Sequence, residues 1–463
     1  MRVCLVCEGS YPIAVGGVAE WTHRLIRRLP EVEFVLWTVT PTGREEAKYD
    51  LPPNVVAWKR VSLEGEPPPE LPAVGDRIEV WNEITRFHLE MLDHRMSRFA
   101  RVQELVSGPR RRLNLHHLVR DEQSWRLLSF FHQSNDAVHP FSEYYWGWYA
   151  THVPMLKLLE EPVPQADVYH ATCTGYAGFL ASLAKLRTGR PMLLTEHGIY
   201  VREREIEIYS GETVKGYQKQ MWSNLFRSLA RICYDQADLI ISLSERNRNH
   251  QLSLGAAPEK TRVIPNGIEV ENFHGLRQAD RIPVPQIGLV GRVVPVKDVR
   301  TFIMAARILK NRFPTARFWV VGPTDEDPVY FERCRDLVNQ LELADCLDFL
   351  GRQDVRTVYP SLDLLMLTSL KEEQPLVLIE AMCAGIPVVA TDVGDVRDLL
   401  APEWPVVPPK DPEALAKAAS EVLSNPEQSR RLAEQARQRA LQRYNIHKLI
   451  EEYGSLYRRL AAA

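Results

Sequence analysis

Short runs of β-branched and aliphatic residues alternate with helical patterns along this chain, and this alternation constrains the fold more than any other feature. The runs are RVCLVC, EFVLWTV, DVYHAT, PMLLTEHG, DLIISLS and TRVIPNG, and then QIGLVGR, ARFWVVGP, CLDFLG, DLLMLTS, IPVVATDVG and PVVP. Short apolar runs of this kind are typical of strands buried on both faces of a parallel sheet. Strand and helix in alternation, in two blocks, predict two doubly wound, Rossmann-like α/β domains.

The segment that joins the two blocks is polar and contains proline, as expected of a linker. We therefore predict an N-terminal domain at 1–273 and a C-terminal domain at 274–445. Residues 67–164 interrupt the first block with helical patterns and predict a helical insertion. The amphipathic pattern at 446–463 predicts a helix that packs back on the first domain. Because doubly wound sheets bind ligands at the carboxyl ends of their strands, two such sheets facing each other predict an interdomain cleft.

The composition narrows the class of protein. A chain of 463 residues, 45% of them hydrophobic, is too long for one core, and a net charge of -3 provides no basic field for nucleic acid. The sequence contains no signal-peptide pattern and no apolar run long enough to span a bilayer, so we expect a cytoplasmic protein, peripheral at most to the inner membrane. The seven cysteines are scattered through apolar segments and indicate reduced core thiols.

Two acids, Glu372 and Glu380, lie on either side of a predicted helix start in the stretch LTSLKEEQPLVLIEAM. Pro375 suits the first helical position, and the N–H groups of Leu376 and Val377 are then donors at a positive helix end, suited to a phosphate. Glu380 lies about 7 Å further along the helix axis. A diphosphate at this helix end has one carboxylate near each flank. We therefore predict that Glu372 binds sugar hydroxyls and that Glu380 binds a ribose.

Three other segments that follow predicted strands supply candidate residues for the same ligand. Arg292 and Lys297 lie in GRVVPVK, where two cations can neutralise a diphosphate leaving group without a metal. Gly16 and Gly17 follow the first strand, where missing side chains let the backbone approach a ligand. His197 ends an apolar strand at the edge of the predicted cleft. Each of these residues also has an ordinary alternative role, in a turn or at a solvated surface.

These motifs, in their order along nearly the whole chain, resemble those of retaining glycosyltransferases of family 4, which have the GT-B fold. The motifs that carry the resemblance are GGV, EHG, VIPNGIE, GRVVPVK, VVGPTDED, LDFLG and the E-x7-E pair of Glu372 and Glu380. More narrowly, EGSYP, LTEHGIYVRERE and EEQPLVLIEAM are similar to the cytoplasmic glycosyltransferases of Pel-type exopolysaccharide systems. Many family members have glycines where this chain has Glu373 and Pro375.

The resemblance implies a UDP-sugar donor, a glycan acceptor, transfer with retention of anomeric configuration, and work beside inner-membrane polysaccharide synthesis proteins in biofilm formation. It implies no metal and no other cofactor. It assigns the diphosphate to Arg292 and Lys297, and it places His197 against the sugar or acceptor and Gly17 against the phosphate or acceptor. It also implies the same roles for Glu372 and Glu380 as the spacing does.

Three other classes of protein would require other sequence features or another activity. A metal-dependent transferase would use Asp325 and Asp327 in TDED as ligands, and a dinucleotide oxidoreductase would need the G-x-G-x-x-G motif that both blocks lack. A non-catalytic sugar-nucleotide sensor or scaffold would keep the same binding residues, and turnover of a UDP-sugar distinguishes it. The aromatic run at 141–152 fits either core packing or stacking on a carbohydrate.

Overall fold

The structure is a computed structural model, and it describes residues 1–64, 77–108, 111, 113–135, 138–211, 214–273, 275–276, 284–400 and 404–462. It divides into two compact units. The first unit is Met1–Ile264 with Glu452–Ala463, and the second is Pro265–Glu451. The division falls earlier in the chain than the predicted boundary between 273 and 274, because Ile268, Val270 and Phe273 are buried in a core cluster of the second unit.

The first unit contains a sheet of seven parallel strands in the order β3-β2-β1-β4-β5-β6-β7. The strands are β1 (Arg2–Glu8), β2 (Glu33–Thr40), β3 (Val55–Ser62), β4 (Val168–Ala171), β5 (Met192–Glu196), β6 (Leu239–Ser242) and β7 (Thr261–Val263). The order reverses between β1 and β4, which makes this position the topological switch point of the sheet. Strand β3 was not among the predicted runs. It forms the exposed edge of the sheet, and most of its side chains are not buried, so it has no continuous apolar run.

Ten helices accompany this sheet within the described ranges. They are α1 (Gly17–Arg27), α2 (Ile78–Asp93), α3 (Phe99–Ser107), α4 (Leu115–Arg120), α5 (Glu122–Asn135), α6 (Phe141–Leu158), α7 (Tyr176–Thr188), α8 (Tyr200–Ser210), α9 (Gly216–Gln236) and α10 (Glu245–Ser253). Helices α2 to α6 lie between β3 and β4 in the chain, where the sequence predicts an insertion. Their buried residues belong to the same core cluster as those of the sheet, so this segment is part of the first unit.

The aromatic run at 141–152 forms most of helix α6. Trp148 is buried in the core, whereas Trp146 on the same helix is 62% exposed. Tyr145 stacks on Trp125 of α5, with ring centroids 5.2 Å apart and an interplanar angle of 4°. The run therefore contributes both to core packing and to the surface of the helical segment.

The second unit contains six parallel strands in the order β10-β9-β8-β11-β12-β13, so its switch point lies between β8 and β11. The strands are β8 (Gln286–Val290), β9 (Arg317–Val321), β10 (Leu347–Gly351), β11 (Leu364–Leu367), β12 (Val388–Thr391) and β13 (Val406–Val407). The helices are α11 (Val299–Arg312), α12 (Pro328–Gln340), α13 (Val355–Val358), α14 (Leu376–Ala384), α15 (Val396–Leu399), α16 (Pro412–Ser424) and α17 (Pro426–Arg443). Successive residues of β11 enter two different core clusters, so helices cover both faces of the sheet.

The last helix, α18 (Ile446–Ala461), supplies the residues from Glu452 onward to the first unit. Tyr457 Oη lies 2.6 Å from His170 Nδ1, and Tyr453 Oη lies 3.0 Å from Thr195 Oγ1. All four side chains are buried. The end of the chain thereby completes the core of the first unit beneath β4 and β5.

All seven cysteines are free, and only Cys173 among them is not fully buried. None of the helices in the described ranges combines the length and the apolar character that a bilayer crossing requires.

Candidate functional site

Two loops of the second unit meet at its switch point. Strands β8 and β11 are parallel neighbours, so the loops that follow them leave the same edge of the sheet. The Leu370 N–H donates to the Val296 carbonyl at 2.8 Å, and the Thr368 hydroxyl donates to the Lys297 carbonyl at 2.7 Å. These two bonds hold the loops together and bring Lys297 to the residues after β11.

Lys297 and Glu372 form a close ion pair in this position. The Nζ of Lys297 lies 2.5 Å from Oε1 of Glu372, and the Ser369 hydroxyl donates to the same oxygen at 2.6 Å. The side chains of Lys297 and Glu372 are 19% and 13% exposed, so both charges are largely removed from water. The sequence predicts Lys297 and Glu372 separately, and the structure joins them. The sequence does not predict Ser369, although it is the second residue after β11.

Helix α14 begins beside this ion pair. Pro375 is its N-cap, with φ -70° and ψ 105°, rather than the predicted first helical residue, because the extended ψ angle takes Pro375 out of the helix. The Leu378 N–H donates to the Pro375 carbonyl at 3.1 Å. The N–H groups of Leu376 and Val377 lie in the first turn, where no intrahelical acceptor precedes them. This helix end therefore presents the backbone donors on which the predicted phosphate contact depends.

Glu380 lies on α14, in its fifth position, and contacts a buried tyrosine. The Tyr359 hydroxyl donates to Oε2 of Glu380 at 2.8 Å. Burial, and then the charge of Glu380, raise the pKa of Tyr359 well above its ordinary value, so the hydroxyl keeps its proton and acts as the donor. Tyr359 belongs to a short 3-10 helix, Tyr359–Ser361, and no motif or spacing in the sequence indicated it.

Arg292 is placed differently from Lys297. Its guanidinium lies 2.5 Å from Glu326, and the two side chains are about half exposed. Asp327 caps helix α12 by accepting a hydrogen bond from the Tyr330 N–H at 2.9 Å. Two acids of TDED therefore have structural partners. Among the described residues, the cluster of three side chains spaced to share a metal ion is Glu269, Glu271 and His447, and it does not include these acids.

Gly394 allows a third loop to approach the ion pair. It has φ +52°, and a Cβ atom there would lie 1.9 Å from the backbone oxygen of Glu372. The neighbouring Asp395 N–H donates to the Glu373 carbonyl at 2.9 Å. The loop after β12 thus supports the backbone of Glu372 from behind, and only glycine fits this contact.

In the first unit, Gly16 and Gly17 open helix α1 after the loop that follows β1. Gly16 is the N-cap and Gly17 the first helical residue. A Cβ atom built on either glycine meets nothing within 4 Å. Both positions therefore face open space, which leaves room for a ligand against the backbone.

His197 follows β5 in the first unit, next to a residue of α1. It is 9% exposed, and its ring lies 4.5 Å from that of Trp21 with an edge-on angle of 71°. Burial lowers the pKa of His197 to about 4, so the imidazole is neutral at physiological pH. Its Nε2 atom is buried and has no hydrogen-bond partner among the described residues. The sequence predicts His197 but gave no indication of Trp21, which positions the ring.

Glu196, the last residue of β5, is fully buried beside His197 in the chain. It accepts hydrogen bonds from Thr174 Oγ1 at 3.1 Å, Tyr234 Oη at 2.8 Å and Gln251 Nε2 at 3.0 Å. Burial raises the pKa of Glu196 to about 7, although these three donors oppose the shift. This network fixes the end of β5 and therefore the backbone that carries His197.

Comparison with known proteins relates both units to enzymes of sugar transfer. Residues 278–439 match the family described as glycosyl transferases group 1. The D-inositol 3-phosphate glycosyltransferase of Saccharomonospora viridis is 28% identical over 312 residues, which are 64% of this chain and 70% of that protein.

Solved structures share the whole fold. Sucrose-phosphate synthase from Thermosynechococcus elongatus aligns with 100% of this chain and 99% of its own, with a TM-score of 0.61 and 19% identity. Anabaena HepE in complex with UDP aligns with 98% of this chain and 99% of its own, with a TM-score of 0.62 and 15% identity.

Two Rossmann-like domains, with Lys297 and Glu372 at the switch point of the second, together with the group 1 match, define a glycosyltransferase of the GT-B fold. Within that class, the chain belongs to the family described as domain of unknown function DUF3492, which its residues 1–259 match.

Proposed function

We propose that this glycosyltransferase moves a sugar from a UDP-sugar to a growing glycan with retention of anomeric configuration, and that it needs no metal ion. The observation that carries the proposal is the group formed by Lys297, Glu372 and Ser369 beside the first turn of α14. This group offers a cation, a carboxylate and free helix-end donors within one short segment. A nucleoside diphosphate sugar contains a ribose, a diphosphate and a sugar in that order, so its negative charge lies between two groups that carry hydroxyls. The cation and helix-end donors can bind the diphosphate, and the carboxylate can bind hydroxyls.

The diphosphate binds at the N-terminus of α14 and next to Lys297. Without donor, the charge of Lys297 is balanced by Glu372 at 2.5 Å, so the site carries little net charge. With donor, the diphosphate shares Lys297 with Glu372, and the N–H groups of Leu376 and Val377 point at the phosphate oxygens. Arg292 exchanges its exposed partner Glu326 for the diphosphate. These cations and dipoles stabilise the leaving UDP in the role that a metal has in other transferases.

The two acids divide the remaining contacts. Glu372 and the Ser369 hydroxyl lie on one side of the helix end and bind hydroxyls of the transferred sugar. Glu380 lies further along α14 and accepts hydrogen bonds from the ribose, with Tyr359 holding its Oε2 oxygen. Each acid thereby binds a different part of the donor, Glu372 the transferred sugar and Glu380 the ribose.

Retention follows in this proposal from attack on the face that UDP leaves. The departing diphosphate accepts the proton of the acceptor hydroxyl, and the new glycosidic bond forms as the bond to UDP breaks. His197, neutral and with an unpartnered Nε2, provides a hydrogen-bonding group to the sugar or acceptor from the first unit. Gly16 and Gly17 leave the backbone of the α1 start open to the acceptor or a phosphate.

We further propose that the product is an exopolysaccharide of the Pel type, made beside inner-membrane synthesis proteins. Support comes from the similarity of EGSYP, LTEHGIYVRERE and EEQPLVLIEAM to the glycosyltransferases of those systems. The crystal structure of HepE with UDP supports UDP as the nucleotide, because that protein has the same fold.

The test compares two single variants by calorimetry with UDP and by turnover of a UDP-sugar panel with added glycan. Glu380→Gln should weaken UDP binding by roughly tenfold or more, because a charge-assisted bond contributes about 1.5–3 kcal/mol. Glu372→Ala should leave UDP binding intact, since it frees Lys297 for the diphosphate, and should abolish turnover. Equal damage to both measurements in both variants refutes the division of roles. UDP binding without turnover of any UDP-sugar in the unmodified chain indicates a sensor instead.

A further inference from the structure

Glu8 is the last residue of β1 and lies at the switch point of the first unit. Strands β1 and β4 are parallel neighbours there, and helix α7 begins after the loop that follows β4. Because β1, β4 and β5 are adjacent in the sheet, Glu8 shares one sheet edge with His197 and with the loop that leads to Gly16. These are residues that the proposed function places against the acceptor, and the sequence predicts no role for Glu8.

The carboxylate of Glu8 occupies the N-terminus of α7. Its Oε2 atom accepts a hydrogen bond from the Ala177 N–H, in the first turn of α7, at 3.3 Å. Its Oε1 atom accepts one from the Tyr200 hydroxyl at 2.5 Å. Burial, and then the charge of Glu8, raise the pKa of Tyr200 well above its ordinary value, so this hydroxyl keeps its proton. Burial also raises the pKa of Glu8, and both donors oppose that shift by stabilising the ionised form.

Gly175, the N-cap of α7, leaves the space that this carboxylate fills. An added Cβ atom at Gly175 would lie 2.4 Å from Oε2 of Glu8 and 2.7 Å from the hydroxyl oxygen of Tyr200. Both distances are much shorter than a van der Waals contact, so a side chain at this position would push Glu8 away from the helix end. The N-cap itself makes no side-chain hydrogen bond to the helix, and Glu8 supplies an acceptor from a different strand.

Helix α14 has the equivalent place in the second unit. In each unit the helix follows the second strand of the switch pair, α7 after β4 and α14 after β11. A helix N-terminus at a switch point suits a phosphate, and in the proposed function α14 uses its first-turn N–H groups for the donor diphosphate. In the first unit, Glu8 already supplies the negative charge at this position. The two sheets are therefore alike, but their switch points favour ligands of different charge.

The charge of Arg204 acts on Glu8, but Arg204 also has an acid partner of its own. Its guanidinium lies 5.3 Å from the centre of the Tyr200 ring and donates to Oε1 of Glu207 at 2.9 Å. Two carboxylates thus share this cation. A phosphate that approaches the start of α7 therefore meets a like charge, whereas a hydroxyl can donate to a carboxylate.

We propose that Glu8 determines the charge class of the acceptor, so that the first unit receives an uncharged, hydroxyl-bearing end of a glycan and rejects an end that carries phosphate. The inference rests on the proposed function and names the class of its acceptor. Glu8 excludes an anion in two ways, because it fills the helix end that would bind a phosphate and because its own charge repels one. It acts as a specificity residue and takes no part in bond formation.

The first test measures binding of inorganic phosphate to the full chain by calorimetry, with UDP present at saturation to occupy the start of α14. Glu8→Ala opens the N-terminus of α7 and should bind phosphate roughly tenfold or more tightly than the parent, because the positive helix end favours an anion. Glu33→Ala is the matched control. It removes the same charge from the same unit at the start of β2, where Glu33 is half exposed and pairs with Arg2, and it should bind phosphate as the parent does.

The second test measures acceptor selectivity in Glu8→Gln, which keeps the size of the side chain and removes its charge. Turnover is compared for a glycan that supports it and for the same glycan phosphorylated at its non-reducing end. The parent should prefer the unphosphorylated glycan by about tenfold or more in kcat/KM, because specificity arises from like-charge repulsion of the other. Glu8→Gln should reduce this preference and leave UDP affinity unchanged, whereas Glu33→Gln should keep it.

The remaining outcomes overturn the proposal. Phosphate that binds equally to the parent and to Glu8→Ala shows that Glu8 does not fill an anion position. A parent that uses the phosphorylated glycan equally well, or a preference that survives in Glu8→Gln, refutes the selectivity, and this comparison decides where Glu8→Ala fails to fold. A parent that turns over no UDP-sugar refutes the proposed function instead, and the phosphate comparison still decides whether Glu8 occupies the helix end.

Discussion

Tyr359→Phe tests whether a buried hydroxyl positions the acid assigned to the ribose. The substitution removes one oxygen and keeps the ring, which is fully buried and lies 5.9 Å from that of Phe273. The lost bond is the 2.8 Å contact to Glu380. A hydrogen bond to a charged group contributes about 1.5–3 kcal/mol, and water replaces part of it here because Glu380 is half-buried. We therefore expect the lower end, about 1.5 kcal/mol, which is roughly tenfold in UDP affinity.

A double-mutant cycle measured by calorimetry isolates this contact. UDP affinity is compared for the parent, Tyr359→Phe, Glu380→Ala and the double variant. Tyr359→Phe should weaken binding in the parent background and have no further effect when Glu380 is absent. Tyr330→Phe is the matched control, since Tyr330 is buried in the other core cluster of the same unit. An equal loss from Tyr359→Phe with and without Glu380 refutes the positioning role.

Three further expectations concern the charge, the backbone and the buried histidines of the protein. A strong chelator should leave turnover unchanged, because Lys297 supplies positive charge to the diphosphate; loss with EDTA and rescue by manganese contradict this. Gly17→Ala should leave the melting temperature unchanged, because an added Cβ meets nothing within 4 Å. Turnover should fall about tenfold or more, because the Cβ would displace a ligand that lies against the backbone. Unchanged turnover argues against a ligand at Gly17. Burial lowers the pKa of His170 to about 3 in the folded protein. The unfolded state, in which the imidazole pKa is about 6.5, therefore binds more protons between about pH 6.5 and pH 3. The free energy of unfolding consequently decreases as the pH falls through this range. His170→Gln should flatten this acid dependence of the unfolding midpoint, and equal slopes for variant and parent contradict it.

The strands were predictable from the sequence wherever they are buried on both faces. Strand β1 has five consecutive buried residues, and a continuous apolar run identifies such a strand without further information. Strand β3 was missed because its edge position leaves most of its side chains outside the core, so its pattern resembles a loop. The predicted domain boundary, between 273 and 274, lies later in the chain than the observed division at Pro265 for a related reason. Phe273 lies in a polar stretch of sequence, but it packs on the second unit.

The sequence predicts the residues of the candidate site mainly where they lie in loops after predicted strands, and it does not predict Tyr359 or Trp21. Lys297 and Glu372 stand in loops after β8 and β11, and the topology of a doubly wound sheet brings those loops together. Tyr359 could not be predicted, because its contact with Glu380 depends on the packing of a 3-10 helix that carries no motif. Trp21 likewise lies on the buried face of an ordinary amphipathic helix. Whether Arg292 reaches the same ligand as Lys297 depends on a side-chain partner, Glu326, that sequence spacing does not reveal.

The hydrogen bonds of Tyr453 and Tyr457 to Thr195 and His170 determine when the first unit can finish folding. A ribosome makes the sheet of this unit first, then the whole of the second unit, and only then these two tyrosines. Until they emerge, the underside of β4 and β5 stays uncovered, and His170 and Thr195 lack their buried partners. The core of the N-terminal unit can therefore be completed only after the second unit has been synthesised.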